Sequence, residues 1–406
     1  MHRTQAFTPL VALGIASMGC HEVTAPNVAR FASAVVASGG VHTCVLLHLG
    51  ALVCWGEDLA SGGTSTQVLG NALPRQLAAP PLTTISAGGT HSCGLTTDGA
   101  AFCWGTNEKG QLGDGTRTNR ALPVAVNSPL RFLSIAAGGA YTCAITTDHL
   151  VYCWGDGSAG QLGDGVDTTN HAAELPVLVH GSGRYTAVAA NAHTCALDTS
   201  GRAFCWGVRT GGLAAAVANV SVFQVQNPVN MCDSVYDSRD THCAVPTPLL
   251  GRQLFQRITS GTYVDCALDS SGTAWCWGDN TYGTLGNGAN GLFYATLPVQ
   301  VQLSQPAVLI TAAATHACAE TADSSAYCWG LNLGGELGNG TFGGVSPIPV
   351  QVAGGHRFAT LSAGGFHTCG ITSSLQVFCW GSNGSGELGQ VTSQNQGDLP
   401  VAVTIP

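Results

Sequence analysis

Apolar residues come along this chain in short bursts. Phe132 to Ala137, Thr142 to Thr147 and Leu150 to Trp154 are β-rich and bounded by Gly, Asn or Asp. That reads as strands joined by tight turns. Leu122-Pro123-Val124 precedes these runs, and Leu175-Pro176-Val177 follows them. Proline lacks the N–H that a central strand needs, so this fourth run belongs at a sheet edge. The pattern predicts a unit of four strands that opens on the Leu-Pro-Val strand.

The unit recurs. Seven cysteine pairs share one spacing: Cys44 with Cys54, Cys93 with Cys103, Cys143 with Cys153, Cys195 with Cys205, Cys266 with Cys276, Cys318 with Cys328 and Cys369 with Cys379. Trp-Gly follows every second cysteine. Successive units are 49 to 52 residues apart, with one interval of 71. A fixed period of this length marks a blade or solenoid, each copy one supersecondary element.

The spacing bears on cysteine chemistry. Cys93 and Cys103 flank Thr97-Asp98-Gly99. A short hairpin with Gly in the left-handed position sets residues 93 and 103 opposite each other. Opposed Cβ atoms then lie about 4.5–5.5 Å apart, close to disulfide reach. Gly50, Gly99, Gly201 and Gly272 occupy that turn position, while His149, Ser324 and Leu375 replace it in three copies. Disulfides are therefore expected for all seven pairs, and the three turns without Gly are open to a different shape. Buried free thiols are the alternative reading. Zinc is disfavoured, because Cys-x9-Cys lacks a tight ligand spacing, and no metal is expected. Cys232 and Cys243 form an eighth pair, which leaves Cys20 single among 17 cysteines. Trp, one residue after Cys, points to the opposite sheet face. Each blade should therefore turn its disulfide to one neighbour and its Trp to the other.

Composition agrees with many turns and few charges. Glycine is 55 of 406 residues, twice the ordinary share of about 7%. Charged residues are 9% of the chain and net charge is −9, without any Lys/Arg run. Nucleic-acid binding is therefore not expected. At the N-terminus, Arg3, the apolar stretch Ala6 to Met18 and Gly19-Cys20 read as a signal peptide over residues 1–19. Ser17-Met18-Gly19-Cys20 resembles a lipoprotein cleavage box, with Ser17 where Leu is usual. Lipidation of Cys20, followed by a linker over 20–30, is expected. An ordinary signal peptide with a chance cysteine is the other reading. No later stretch reaches the length of a spanning helix, so the membrane is met only through the anchor. The expected location is secreted or cell-envelope, and the expected state is monomeric.

The frame Ala87-Gly88-Gly89, His91, Cys93, Cys103-Trp104-Gly105, Asn107 and Gly110-Gln111-Leu112-Gly113-Asp114-Gly115 resembles the regulator-of-chromosome-condensation repeat family. The resemblance covers nearly all of residues 31–406. It implies an all-β, seven-bladed β-propeller of four-stranded antiparallel blades. The first copy begins at its second strand, Phe31 to Ser38, and the chain ends on a spare Leu399-Pro400-Val401 strand. The ring is expected to close by that C-terminal strand completing the N-terminal blade. The family includes a nuclear exchange factor for a GTPase and a secreted bacterial β-lactamase inhibitor. The nuclear role does not transfer to a chain with no basic tail, an export signal and paired cysteines.

Shared residues explain the frame, and function is sought where copies differ. His42, His91, His193, His316 and His367 recur two residues before the first cysteine, with Tyr141 and Val264 elsewhere. Five equivalent histidines are read as structural, each in a hydrogen bond within its blade. The long interval is an insertion at about 213–247, carrying Asp233, Tyr236, Asp237, Asp240 and the pair Cys232 and Cys243. It is either a tolerated excursion or a partner site, and its acids match no calcium-loop spacing. Phe293, Tyr294 and Phe342 stand in variable loops and are either binding anchors or packing between blades. No catalytic constellation or cofactor motif appears, so no enzyme activity and no cofactor are expected. The candidate function is a protein-binding module on variable propeller loops, with Tyr236, Phe293, Tyr294 and Phe342 as candidate contacts. The alternative is a carbohydrate-binding or carbohydrate-active propeller, a lectin or a lyase.

Overall fold

The computed structural model describes residues 34–47, 50–57, 73–166, 168–208, 242–289, 291, 294–390 and 396–406. Cys20, Cys232, Tyr236 and Phe293 lie outside them. Among the described residues, 28 strands form seven four-stranded antiparallel sheets. The second blade is typical. Its strands, from the axis outward, are Leu82–Ala87, His91–Thr96, Ala101–Gly105 and Arg120–Ala125.

All seven Cys-x9-Cys pairs stand directly opposite and are bonded, with Cα atoms 4.0–4.1 Å apart. The turns that lack Gly are not different in shape. His149, Ser324 and Leu375 adopt φ of 67°, 65° and 65°, the region Gly99 occupies at 79°. Those three side chains accept a conformation that L residues rarely adopt, so the hairpin frame outweighs local preference. Cys243 is also disulfide-bonded, and its expected partner Cys232 lies outside the described residues.

The seven pairs are not buried to the same degree. Cys44 is bonded to Cys54 as expected. Cys54, however, is only half-buried, whereas every other cysteine of these pairs is buried. The outer strand gives a reason. Cys54 faces Arg75 there, while Cys103, Cys153, Cys276, Cys328 and Cys379 face Val124, Val177, Val299, Val350 and Val401. An arginine keeps its charged head in water and covers the sulfur less completely than a valine does.

Each interface between blades has one composition. Cys93 and Cys103 of the second blade pack with Leu112, Phe132 and Trp154, the last from the third blade. Cys44 and Cys54 of the first blade meet Trp104 of the second. Cys143 and Cys153 meet Trp206, and Cys318 and Cys328 meet Trp380. Cys369 and Cys379 of the seventh blade meet Trp55 of the first. Disulfide against Trp is therefore the repeated contact, as the alternation of side chains requires.

Ring closure differs from the expectation. The last strand, Gln396–Val403, pairs with Val377–Ser382 in its own seventh blade. The first blade has its own outer strand, Arg75–Leu77. Leu-Pro-Val therefore ends a blade rather than opening one. Val124 sits opposite Cys103, and the register then slips so that Gly105 meets Arg120. The bulge on the outer strand takes up the extra residues around Pro123, where no N–H is needed. The described residues form seven whole blades, and no described strand is left over to exchange.

A loop closes the ring instead. Trp55 Nε1 donates to Glu387 O at 2.7 Å across the seam between the seventh and first blades. The same bond joins Trp206 to Gln161 O, Trp329 to Thr284 O and Trp380 to Glu336 O. Glycine makes room for it. At Gly338, φ is 60° and an added Cβ would lie 2.7 Å from Trp380 Cδ1.

Candidate binding face

Antiparallel order puts two kinds of connection on each face of the ring. On one face lie the Gly-Gly turns between the first and second strands, together with the long loops between the third and fourth. Around the axis, Gly40 N donates to Gly88 O, Gly89 N to Gly138 O, and Gly365 N to Gly39 O. A Cβ on Gly88 would sit 2.1 Å from Gly138 O, which explains why the turn needs glycine. The axial channel has a volume of about 570 Å³. Its wall is Ala, Gly, Ser, Thr, Asn, Val and Ile, without a titratable side chain among the lining residues.

The histidines lie just outside this wall and are fully buried. Each bonds across a blade boundary rather than within its blade, which corrects the expectation. His42 Nε2 meets Ser92 Oγ at 2.7 Å, and His91 Nε2 meets Thr142 Oγ1 at 2.9 Å. His316 meets Thr368, and His367 meets Thr43 across the seam. Tyr141 serves the same purpose with Thr194 at 2.9 Å. Thr142 donates to Gln111 O, so it accepts from His91 Nε2–H and fixes that neutral tautomer. Burial pushes His42 and His316 down to about 4 and His91 and His367 to about 3, the latter two helped by neighbouring histidines. They are neutral at neutral pH and hold blades together. The belt breaks once, where Val264 and Ala317 take the two paired positions. A carboxylate takes the hydroxyl's place once, where buried His193 Nε2 donates to Asp265 at 2.8 Å. Cys195 lies beside that pair, but its sulfur is spent in the bond to Cys205 and offers no thiolate.

The long loops are preorganised by one side chain. Asn107 Oδ1 accepts Leu112 N, and its Nδ2 donates to Asp114 and Thr116. Asn280, Asn332 and Asn383 accept Leu285, Leu337 and Leu388 N in the same way. What these loops carry differs around the ring. In the second and third blades the described loop surface exposes no aromatic ring, and several of its charges are paired. Arg117 reaches Glu174 at 2.8 Å, Arg120 reaches Asp114 at 2.8 Å, and His171 reaches Asp164 at 2.8 Å.

In the fifth to seventh blades the same face is aromatic. Tyr263 and Phe366 follow the Gly-Gly turn position and are 50% and 49% exposed. Phe342 and Leu333 project from the sixth loop, which is tied by Asn332 N to Gly344 O and Gly343 N to Asn332 O. Tyr282 and Tyr294 are exposed on the fifth blade. Tyr294 and Phe342 are solvent-facing in the described structure, so neither is a contact buried between blades. Tyr263 and Phe366 escaped the sequence reading. Their signal was the variable position between Gly-Gly and His, where other copies hold Val41, Thr90 and Ala140. Behind the sixth and seventh loops, burial raises the pKa of Glu336 and Glu387.

Comparison with known proteins agrees with this architecture. A family model described as an RCC1-like domain matches residues 59–405. The Arabidopsis thaliana RCC1 domain-containing protein RUG3, mitochondrial, is 29% identical over 211 residues, 50% of this chain and 43% of its own length. The ultraviolet-B receptor UVR8 of Arabidopsis thaliana is 30% identical over 136 residues, 32% of this chain and 30% of its own. The chain thus spans less than half the length of these relatives. Among solved structures, Prp20p of Saccharomyces cerevisiae superposes with a TM-score of 0.70 at 18% identity, covering 92% of this chain and 88% of that one. Human WBSCR16 superposes with a TM-score of 0.68 at 18% identity, covering 83% and 85%. At these identities the structures speak for the fold alone.

Proposed function

Because the chain belongs to the family of RCC1-like domains, a fold that serves several unrelated functions, we propose its role from its own surface. It is a protein-binding module, and the face formed by the loops of the fifth to seventh blades is its interface. One observation carries this reading. Tyr263, Tyr282, Tyr294, Leu333, Phe342 and Phe366 are exposed on that face, whereas the described residues of the second and third blades expose no aromatic ring there and pair Arg117, Arg120 and His171 with acids. Exposed aromatics grouped on a rigid frame are the residues that anchor protein interfaces. The precedent in fold is Prp20p, described with binding properties to Gsp1p and histones.

The setting we propose is the cell envelope or the extracellular space. Seven disulfides favour an oxidising compartment. Residues 1–19 would be removed as a signal peptide and Cys20 would carry the lipid. The insertion with Cys232, Cys243 and Tyr236, and Phe293 beside Tyr294, would extend the interface.

The test is a paired capture from envelope extract. One bait is the oxidised wild-type domain, and the other carries Phe342→Ser and Phe366→Ser. The expected result is a protein retained by the first and lost by the second. Equal retention by both baits, or retention of glycan alone, overturns the reading.

A further inference from the structure

The variable row at the loop end of each blade can be compared position by position. In an antiparallel pair, residues opposite each other share a sheet face, with Cβ atoms about 4.5–5.5 Å apart. In the fifth blade the row is Tyr263, Asp279 and Tyr294. Asp279 N donates to Tyr263 O at 2.8 Å, continuing the register in which Val264 faces Gly278. On its other side Asp279 pairs with Tyr294. In backbone register Asp279 thus lies between Tyr263 and Tyr294, and both tyrosines are substantially exposed.

No other described row matches it. The third blade has Ala140, Asp156 and Ala172, an acid without rings. The sixth has Thr315, Leu331 and Val345, and the seventh has Phe366, Ser382 and Gln396. Asp279 Oδ1 accepts Thr281 N at 2.6 Å, which holds the carboxylate in place. No ion pair reaches Asp279 among the described residues. The surrounding charge is one-sided as well. From Phe255, the first strand residue of the fifth blade, to Pro406 the sequence contains eight Asp or Glu residues and two Lys or Arg. Arg357 lies on the opposite face and is engaged with Asp323, and Arg257 lies on the first strand of the fifth blade. Asp156, by contrast, is bonded through both oxygens, to Ser158 N and Gln161 Nε2.

We propose that Tyr263, Asp279 and Tyr294 form a clamp for an arginine side chain of the protein partner. A guanidinium would stack on the phenol rings and donate to the carboxylate. The flat fork suits this arrangement better than a lysine ammonium does. The proposal rests on the protein-binding reading above and adds the chemistry of the partner's anchor residue.

The probe is a fluorescein-labelled dodecapeptide of Gly and Ser with three arginines, titrated into the oxidised protein at low salt and followed by anisotropy. Parallel peptides carry lysine or glutamate instead. Asp279→Asn keeps the acceptor for Thr281 N and should weaken the arginine peptide about tenfold. Tyr263→Leu should weaken it about threefold. Asp156→Asn removes the same charge from the third blade and should change it less than about twofold. Weak binding of the lysine peptide and none of the glutamate peptide are expected. Equal losses for Asp279→Asn and Asp156→Asn would overturn the clamp in favour of diffuse charge. Competition by free methylguanidinium as strong as by the peptide, per guanidinium, would overturn a protein side chain as its ligand. If the clamp fails while capture still depends on Phe342 and Phe366, the interface stands and only its arginine is lost. If both fail, the face is not an interface.

Discussion

The second and fifth blades are built alike and finished differently. In both, an Asn at the loop start receives the N–H of a buried Leu five residues on. In both, the disulfide faces the next blade's Trp, Cys93 and Cys103 against Trp154, Cys266 and Cys276 against Trp329. At the loop surface the likeness ends. The second blade pairs Arg120 with Asp114, and Arg117 with Glu174 of the next blade, and exposes no aromatic ring there. The fifth leaves Tyr263 and Tyr294 exposed around Asp279. A charge that is already paired gains little from a partner. An exposed aromatic row gains on burial. The difference separates what the ring needs to stand from what is free to recognise something else.

If the frame is common to both regions, core damage should cost the same in each. Trp154→Ala and Trp329→Ala, one on each side, should each destabilise the protein by about 3–5 kcal/mol, measured from denaturant midpoints of the oxidised protein. Both indoles are fully buried against a disulfide. A much smaller loss at Trp329 would break the comparison, since the aromatic half would then be loosely built rather than differently surfaced.

The polar belt allows a second check with acid. His42 and His91 belong to the first and second blades, His316 and His367 to the sixth and seventh. Their folded pKa values, about 3 to 4, lie below the unfolded value of about 6.5. Between those limits the unfolded chain binds more protons, so stability falls as pH drops from about 6.5 toward 4. Each histidine contributes up to about 1.4 kcal/mol per pH unit. Glu336 and Glu387, raised by burial, oppose this, because protonation favours their folded state. His91→Gln and His316→Gln should each flatten the slope of melting temperature against pH by a similar amount. Flattening by only one of them would show that the two halves titrate differently.

Much of this was legible in the chain. The period, the hairpins and the alternation of Cys and Trp dictated the blades, because side-chain direction in a strand follows position alone. The phase of the repeat was not legible. A ring of identical units reads the same from any starting strand, and only the pairing of Val124 with Cys103 shows where a blade ends. The exposure of Cys54 was hidden for the same reason, since Arg75 becomes its neighbour only once the outer strand is assigned to that blade. The histidines illustrate a second limit. Their role as structural groups followed from their number, but Ser92 and Thr142 belong to the next blade, and no local pattern reveals a partner 50 residues away. On the binding face, Tyr294 and Phe342 stood out because loops vary. Tyr263 and Phe366 sat one residue from the invariant part of the frame and were hidden by it.

The smallest expected effect is the most discriminating. Glu174→Gln breaks an exposed ion pair with Arg117, both partners being about half exposed. Such pairs contribute between about 0.2 and 1 kcal/mol. Phe366→Ser removes an exposed ring and should change stability by less than about 0.5 kcal/mol. By melting temperature the two variants are therefore close to wild type and to each other. They should diverge in capture, which Glu174→Gln leaves intact and Phe366→Ser weakens. Stability reports the shared frame, and capture reports the surface laid over it. A loss of capture from Glu174→Gln equal to that from Phe366→Ser would place recognition on the polar half as well, and the contrast between the two regions would no longer mark the site.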